Sequence, residues 1–394
     1  MTRPNELVVT TLDALDDCCA RLAHSKVFGF DTEFVGETSY HPELCLIQVA
    51  TDDTLYLIDP FAFESLDAFW NVVVHPDHLV VVHAGREEIR LCHLASGKAP
   101  GNVFDLQIAA GLIGLTYPIS HGNLVEALLG KRLSKGETLT EWRHRPLTGE
   151  QIGYAFDDVR HLLPLYRKLH KRLEELGRLD WAGEEFARLR EQSQVDEAGL
   201  APTGEKWRKL KGSGTLDRRR LAVLRAIFQW REELAHKANR PPRSLLRDDL
   251  LVEIARRNPR SAKDLHVVRG LAKKHADALM PVIEAARALP ADEMPAPYDR
   301  EADPPQVALL SSVLGLVLAD WCARRHVAPA LAASAGDLKA LVKGRLRQTA
   351  PTPESPLARG WRAQEVTPAL EVFLDGKTSL RVRDAVSPAP FVVE

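Results

Sequence analysis

Two carboxylates end an apolar stretch of the sequence, where Asp31 and Glu33 follow Phe28-Gly29-Phe30. Successive residues of a strand point to opposite faces of a sheet, so these two acids would share one face. Much further along the chain, Tyr154 and Asp158 stand four positions apart, a spacing that places both on one face of a helix. Carboxylate oxygens are the protein ligands that Mg²⁺ prefers. The spacing therefore predicts a site for divalent cations.

The elements that must position these residues form an α/β pattern. Short apolar runs predict strands, and the stretches of helical periodicity between them predict helices. A sheet covered by helices is the simplest arrangement of this alternation. Thr148 and Gln151 form a capping-box pattern, which predicts one long helix over residues 147–176. The predicted strands cover residues 27–30, 44–49, 55–58 and 79–82.

Charge is unevenly distributed along the chain. Residues 1–200 hold 19 basic and 31 acidic residues, whereas residues 201–290 hold 21 basic and 10 acidic ones. A solvated helical face could account for the basic segment, but the crowding of its cations favours phosphate binding. The predicted nucleic-acid contacts are Lys206, Arg208, Lys209, Lys211, Arg218, Arg219 and Arg220.

Composition indicates a globular protein. The chain has 394 residues, of which 45% are hydrophobic and 27% charged. We predict a cytoplasmic protein without a membrane span, because no run of about 18 apolar residues and no signal-peptide pattern is apparent. The five cysteines show no paired CxxC spacing, so ordinary reduced residues are expected rather than disulfides or zinc ligands.

Several short motifs occur in a fixed order between residues 25 and 170. They are Asp31-Thr32-Glu33-Phe34, Pro42-Glu43-Leu44-Cys45-Leu46-Ile47-Gln48, His83-Ala84-Gly85, Trp142, Arg145-Pro146-Leu147-Thr148, Tyr154 and Asp158. In order and spacing this set resembles the bacterial ribonuclease D family. The resemblance implies a ribonuclease H-like exonuclease domain of the DEDD type, in its tyrosine variant, with a mixed sheet flanked by helices.

Two all-α units are expected beyond this domain. The basic segment resembles the helicase-and-RNase-D C-terminal (HRDC) domain through Trp230-Arg231-Glu232, Pro241-Pro242 and Leu250-Leu251, and Gly360-Trp361-Arg362 resembles part of a second such domain. The predicted organisation is an exonuclease domain over residues 1–195, a linker over 196–214, an HRDC domain over 215–290, a linker over 291–304, a second HRDC-like domain over 305–385 and a frayed or extended tail over 386–394.

The resemblance implies a metal-dependent 3′→5′ exoribonuclease that releases nucleoside 5′-monophosphates. Hydrolysis of a phosphodiester needs a nucleophile in line with the leaving oxygen and relief of negative charge, which two Mg²⁺ or Mn²⁺ ions supply. Asp31 would contact both ions, Glu33 and Asp158 the ion beside the attacking water, and Tyr154 would orient that water. The implied partner is RNA with a single-stranded 3′ end, tRNA precursors among them, and a monomer is expected.

The fourth acid departs from the family pattern. The position five residues after His83 normally carries Asp, and here it carries Glu88, which adds a methylene group and a torsion. Glu87 would lie about 100° away around a helix and could not replace it without a register change. We expect a working nuclease with Glu88 as ligand. The alternatives are a DNA 3′→5′ exonuclease and an RNA-binding protein whose catalysis Glu88 has weakened.

Substrate contacts are expected from four residues. Phe34 follows the acid pair and could wedge against the terminal base, while Arg143 and Arg145 precede the catalytic helix and could bind phosphate. Gln48 ends a core strand and could either touch the terminal nucleotide or satisfy backbone groups. Trp142 is expected in the core.

Overall fold

The structure, a computed structural model, describes residues 4–133, 141–193, 205–298, 303–349, 352–387 and 390–394. A six-stranded sheet lies at the centre of its N-terminal part. The strands are β1 (Asn5–Val9), β2 (Val27–Val35), β3 (Glu43–Ala50), β4 (Thr54–Ile58), β5 (Leu79–Val82) and β6 (Asn102–Asp105). Their order is β1-β4-β3-β2-β5-β6; β3 is antiparallel to both its neighbours and the other pairs are parallel. The predicted mixed sheet is therefore confirmed, and β1 and β6 are additional.

Helices cover both faces of this sheet. On one face Phe30 packs against Phe69 and Trp70, with ring centroids 6.2 and 6.3 Å away. On the other face the helix that begins at Leu162 approaches the sheet closely. A Cβ added at Gly29 would lie 3.0 Å from Leu162 Cδ1. The helices of this part are α1 (Leu12–His24), α2 (Asp67–Val73), α3 (Arg86–Ser96), α4 (Leu106–Leu112), α5 (His121–Leu129), α6 (Gly149–Arg160), α7 (Leu162–Glu175) and α8 (Leu179–Gln192).

The long helix predicted over residues 147–176 is wrong in one respect, because it is two helices. α6 ends at Arg160 and α7 begins at Leu162, with His161 between them. Pro164 explains the break: its ring has no N–H to donate and clashes with the carbonyl four residues earlier, that of Arg160. The predicted capping box is confirmed, since Thr148 and Gln151 exchange side-chain-to-backbone hydrogen bonds of 3.1 and 2.9 Å.

The basic segment folds around a hydrophobic core of its own. Its helices are α9 (Arg218–Lys237), α10 (Pro242–Leu245), α11 (Asp248–Arg257), α12 (Ala262–His266) and α13 (Lys273–Ala288). Trp207 is fully buried in this core, and the Tyr298 hydroxyl lies 2.9 Å from that of Ser213. Residues 205–214 and 291–298 therefore belong to the packed unit, which corrects the predicted linkers at 196–214 and 291–304. The remaining linker residues 196–204 and 299–302 lie outside the described residues.

The C-terminal helices are α14 (Pro305–Arg325), α15 (Pro329–Ala332), α16 (Ala335–Arg347) and α17 (Thr367–Leu374). They share one hydrophobic core with the sheet and its helices. Trp361 stacks on Trp181 with centroids 4.6 Å apart, and Arg362 forms a buried ion pair with Glu185. The predicted helical unit over residues 305–385 is present, but it is fused to the exonuclease part rather than standing apart. Its likeness to an HRDC domain stays a prediction.

Among the described helices, α14 is long and apolar enough to span a membrane by length and composition alone. Gln306, Ser311, Ser312 and Asp320 interrupt its apolar residues, so α14 is not an uninterrupted apolar run. In the structure α14 packs against α16 and α17, with Val307, Leu314, Val317 and Cys322 buried. It is the central helix of the C-terminal bundle. After it, β7 (Leu380–Val382) pairs antiparallel with β8 (Phe391–Val393), so the end of the predicted tail is extended.

Candidate active site

β2 positions the first two acids of the candidate site. Asp31 and Glu33 lie two residues apart on this strand, and both are partly buried. β5 pairs with β2 only at Val27–Gly29, so the strand edge beside the acids is left open for another element. Burial raises the pKa of Asp31 to about 6, although hydrogen bonds from the Thr32 amide and from Glu88 partly offset the effect. Burial and the charge of Asp31 raise the pKa of Glu33 to about 8.

α3 fills that open edge and brings Glu88 to Asp31. The turn before α3 is tight: Ala84 has φ +57°, and the Gly85 amide donates to Asp105 Oδ2 at 2.9 Å. A side chain at Gly85 would clash, because its Cβ would lie 2.3 Å from Val82 Cγ2. This turn places the first residues of α3 beside β2.

Glu88 is held in the site by a second contact. Its Oε1 accepts a hydrogen bond from the Thr32 hydroxyl at 3.2 Å, and the residue is only 7% exposed. Burial, followed by the charge of Asp31, raises its pKa well above the usual value. Glu87 faces elsewhere and pairs with Arg90 at 3.4 Å. The longer Glu88 side chain therefore reaches the same group of acids without a register change.

α6 supplies the last two residues, Tyr154 and Asp158. Burial raises the pKa of Asp158 to about 9, assisted by the charges of Asp31 and Glu33. The Tyr154 phenol is hydrogen-bonded to Asp158, and burial together with the same acids raises the phenol pKa. The neighbouring Asp157 turns away and binds Arg160 Nε at 2.8 Å. The structure thus brings Asp31, Glu33, Glu88, Tyr154 and Asp158 into one group.

The donor set of this group fits hard divalent cations. It contains four carboxyl groups and a phenol, without cysteine, and such oxygens suit Mg²⁺ and Mn²⁺. Burial raises the pKa of all four carboxyl groups, and repulsion from neighbouring acids adds to it for Glu33, Glu88 and Asp158, so a bound cation would relieve both effects. Within the described part of the chain, no three His, Cys, Asp or Glu side chains already surround one point as ligands of one ion would. The fit therefore rests on donor chemistry and charge.

A groove of about 700 Å³ runs beside the acids and is lined in part by Glu33, Phe34, Pro42 and Trp142. Phe34 is half-buried in its wall, where a base could contact it. Trp142 is 6% exposed and belongs to the core, as predicted. Gln48 pairs with Asp31 across the β2–β3 ladder and is fully buried. No partner among the described residues satisfies its amide oxygen or nitrogen, so Gln48 stays a candidate for either predicted role.

The two predicted phosphate-binding arginines have structural contacts instead. Arg145 Nη2 donates to the Cys45 carbonyl at 2.7 Å and to Asp59 at 2.8 Å, and Nη1 donates to two further carbonyls. Arg145 Nε also donates to Asp59, at 2.5 Å, so every N–H donor of the guanidinium group is used. The predicted phosphate-binding role of Arg145 is therefore corrected to a structural one. Arg143 pairs with Glu43 at 2.6 Å and donates to the Thr38 hydroxyl, and its side chain keeps 33% exposure.

The predicted nucleic-acid cations differ in their contacts. Lys206, Lys209 and Lys211 are exposed along one groove of about 930 Å³, which Phe228 also lines. No ion-pair partner is found for these three lysines among the described residues. Arg208 differs, because it pairs with Glu205 at 2.7 Å and lies over two aromatic rings. The remaining three are Arg218, which donates to the Met294 carbonyl, Arg219, which is exposed, and Arg220, which pairs with Asp217.

Relatives with curated names match nearly the whole chain. Ribonuclease D of Gluconacetobacter diazotrophicus is 34% identical over 386 residues, which cover 96% of this chain and 95% of that protein. Ribonuclease D of Acidiphilium cryptum is 35% identical over 369 residues, covering 92% and 91%. The chain belongs to the ribonuclease D family. The predicted resemblance and the predicted enzyme class, a 3′→5′ exoribonuclease, are thereby confirmed.

Family models and a solved structure agree with this membership. Residues 7–174 match the model described as 3′-5′ exonuclease, and residues 220–285 match the HRDC domain. The crystal structure of Escherichia coli RNase D, described as an exoribonuclease involved in structured RNA processing, superposes with a TM-score of 0.81 at 28% identity, covering 94% of this chain and 99% of that one. The ribonuclease H-like exonuclease fold and one HRDC domain are therefore confirmed in this chain.

Sequence reasoning missed one residue and one contact that shape the site. Thr32 donates a hydrogen bond to Glu88. Its place between Asp31 and Glu33 could have singled it out, but side chains alternate along a strand, which predicts that Thr32 points away from both acids. Asp105 was expected to cap a helix; it accepts from the Gln107 and Ile108 amides at 2.8 and 3.0 Å and also holds the Gly85 turn. Only the folded chain shows that second contact, because the two segments are distant in sequence.

Proposed function

We propose that this member of the ribonuclease D family removes nucleoside 5′-monophosphates one at a time from the single-stranded 3′ end of structured RNA, tRNA precursors among them. Hydrolysis would depend on Mg²⁺ or Mn²⁺. The observation that carries the proposal is the convergence of three further acids from β2, α3 and α6 around Asp31, with Tyr154 beside them. In support, a structure similar along nearly the whole chain belongs to an exoribonuclease involved in structured RNA processing.

The roles of the residues follow from their mutual contacts. Two divalent cations held by the carboxylates would neutralise charge on the phosphate and lower the pKa of a water molecule. Asp31 influences the pKa of Glu33, Glu88 and Asp158, so it is the acid best placed to be shared between two ions. Tyr154 is hydrogen-bonded to Asp158 and is 38% exposed, which lets its hydroxyl orient the attacking water.

Glu88 is the ligand that decides between a working and a weakened nuclease. Its carboxyl lies against Asp31 and the Thr32 hydroxyl rather than pointing into solvent. Because the side chain already reaches the acid group, the additional methylene group is accommodated. We therefore infer an active enzyme and not an RNA-binding protein that has lost catalysis.

The substrate would be held at two places. Near the acids, Phe34 would contact the terminal base in the groove that it lines, and Gln48 lies buried opposite Asp31. On the HRDC domain, Lys206, Lys209 and Lys211 would bind backbone phosphates of the RNA body. A monomer in the cytoplasm is the setting that we expect for this activity.

A single degradation experiment tests the proposal. A hairpin RNA with an unpaired 3′ tail, labelled at its 5′ end, is incubated with Mg²⁺ or Mn²⁺, and a DNA of the same sequence serves as the control. The account predicts a ladder that shortens from the 3′ end, nucleoside 5′-monophosphate products and slower loss of the DNA. Internal cleavage, activity in EDTA, or degradation of the DNA alone would contradict it.

A further inference from the structure

The HRDC domain contacts the loop that leaves β2, at residues 36–42. Asn239 lies just beyond the end of α9, and its Oδ1 accepts hydrogen bonds from the backbone amides of Tyr40 and His41 at 3.1 and 3.0 Å. The backbone of Asn239 is left-handed, with φ +44°, a conformation that asparagine and glycine adopt more readily than other residues. One side-chain oxygen thus holds two consecutive amides of another domain.

Three aromatic rings pack at the same junction. His236 of α9 lies 4.8 Å from His41 and 5.5 Å from Tyr40, both in edge-on geometry, and the two loop rings lie 5.1 Å apart. Edge-to-face ring pairs of this spacing add attraction beyond burial alone. The contact between the loop and α9 is therefore both polar and apolar.

The opposite side of this loop faces the candidate active site. Gly36, Glu37 and Pro42 line the same groove as Glu33 and Phe34. The exonuclease part holds the loop through Arg143, which binds the Thr38 hydroxyl and Glu43. The wall of the groove is thus supported from the exonuclease side by Arg143 and from the HRDC side by Asn239.

We propose that Asn239 is a positioning residue through which the HRDC domain fixes the wall of the groove beside the acids. This inference rests on the proposed function, and it adds a role for the HRDC domain besides binding the body of the RNA. A loop that samples many conformations loses entropy each time the groove closes on a nucleotide, and the two amide hydrogen bonds remove part of that cost in advance. Loss of this positioning should therefore also slow the cleavage of RNAs too short to touch the groove lined by Lys206, Lys209 and Lys211.

Asn239→Gly and Asn239→Asp form a matched pair for the test. Glycine tolerates the left-handed backbone but lacks the acceptor oxygen, whereas aspartate keeps the acceptor. The substrates are a ribotrinucleotide, too short to reach the groove of Lys206, Lys209 and Lys211, and a 3′-tailed hairpin. Loss of the hydrogen bonds should lower kcat/KM about fivefold for both substrates in Asn239→Gly, while Asn239→Asp stays near wild type. Metal-free binding of the hairpin should not change.

Amide hydrogen exchange provides a readout independent of cleavage. The Tyr40 and His41 amides should exchange faster in Asn239→Gly than in the wild type or in Asn239→Asp. Unchanged exchange, or faster exchange with unchanged turnover of the trinucleotide, would overturn the positioning role. A wild-type protein that cleaves neither RNA would instead contradict the proposed function, and the inference would fall with it.

Discussion

The Thr32 hydroxyl donates a hydrogen bond to Glu88 Oε1 over 3.2 Å and so joins the middle of β2 to the first turn of α3. Thr32 stands between the two acids of the strand, and its hydrogen bond restrains the longer side chain that stands where the family pattern has aspartate. The candidate site therefore includes a support for the acid that departs from the family pattern.

Replacing Thr32 tests this support. Thr32→Val keeps the branched shape and removes the hydroxyl, which leaves the buried Glu88 carboxyl without one partner. We expect the Mg²⁺ or Mn²⁺ concentration for half-maximal RNA cleavage to rise about fivefold, whereas Thr32→Ser keeps the donor and should behave like the wild type. Equal metal dependence of all three proteins would show that the hydrogen bond does not position Glu88.

Glu88 itself can be altered in length and in charge. Glu88→Gln keeps the length but removes the charge, and we expect cleavage to fall by at least about 100-fold, as for loss of a metal ligand. Glu88→Asp keeps the charge and should stay within about tenfold of wild type, because the acid group can close around the shorter side chain. Rates on the tailed hairpin RNA measure both effects. Full activity of Glu88→Gln would exclude Glu88 as a ligand.

The buried Glu185–Arg362 pair should make the attachment of the C-terminal helices sensitive to acid. Burial alone would raise the pKa of Glu185, but hydrogen bonds from Arg362 and Trp361 and the charge of Arg362 outweigh it, and the pKa is lowered. A lowered carboxyl pKa contributes stability above the ordinary value of 4.5, and this stability is lost as the pH falls through the lowered value.

A substitution separates this pair from general acid effects. Glu185→Gln leaves Arg362 buried without its counter-charge and should lower the free energy of unfolding by about 3 kcal/mol at pH 7. The difference from wild type should shrink as the pH falls below 4.5. Chemical denaturation at several pH values measures both quantities. A difference that stays constant down to acid pH would contradict the assignment.

The lysine groove of the HRDC domain makes a prediction about salt. Lys206, Lys209 and Lys211 are exposed, and each phosphate neutralised on a single strand adds about 0.7 to the slope of log affinity against log salt. Replacing all three with alanine should therefore weaken RNA binding and reduce that slope by about 2. Arg219→Ala removes another exposed cation of the HRDC domain and shows what the loss of a single charge does to the slope. An unchanged slope in the triple variant would remove the groove from the RNA path.

Much of the fold could be predicted from local pattern. The apolar runs of β2 to β5 and the capping box of α6 are properties of adjacent residues, so the sequence contains them directly. The break at Pro164 also had a local cause, although the strong periodicity on both sides concealed it. β1 was harder, because four of its five residues are exposed at the sheet edge and show no alternation.

The candidate acids were predictable for the same reason, because their spacing within β2 and α6 fixes which faces they share. The surroundings of the site were not. Whether Arg145 binds phosphate or Asp59 depends on which carboxylate lies within reach, and these residues are 86 positions apart. The hydrogen bond between Asn239 and Tyr40 likewise depends on tertiary packing that no short pattern encodes. The burial of Trp207 in the HRDC core depends on it too.

The most direct test of the account is mononucleotide release from the tailed RNA by Asp31→Asn, with Asp157→Asn as the matched control. Asp157 is an acid of the same helix as Asp158 but binds Arg160, so its replacement should leave cleavage near wild type. Asp31→Asn should lose at least about 100-fold in rate. Without metal it should melt about 2–4 °C higher than wild type, because one buried charge is gone. Cleavage by Asp31→Asn at the wild-type rate would contradict the central claim that Asp31 and the three acids around it form the catalytic metal site.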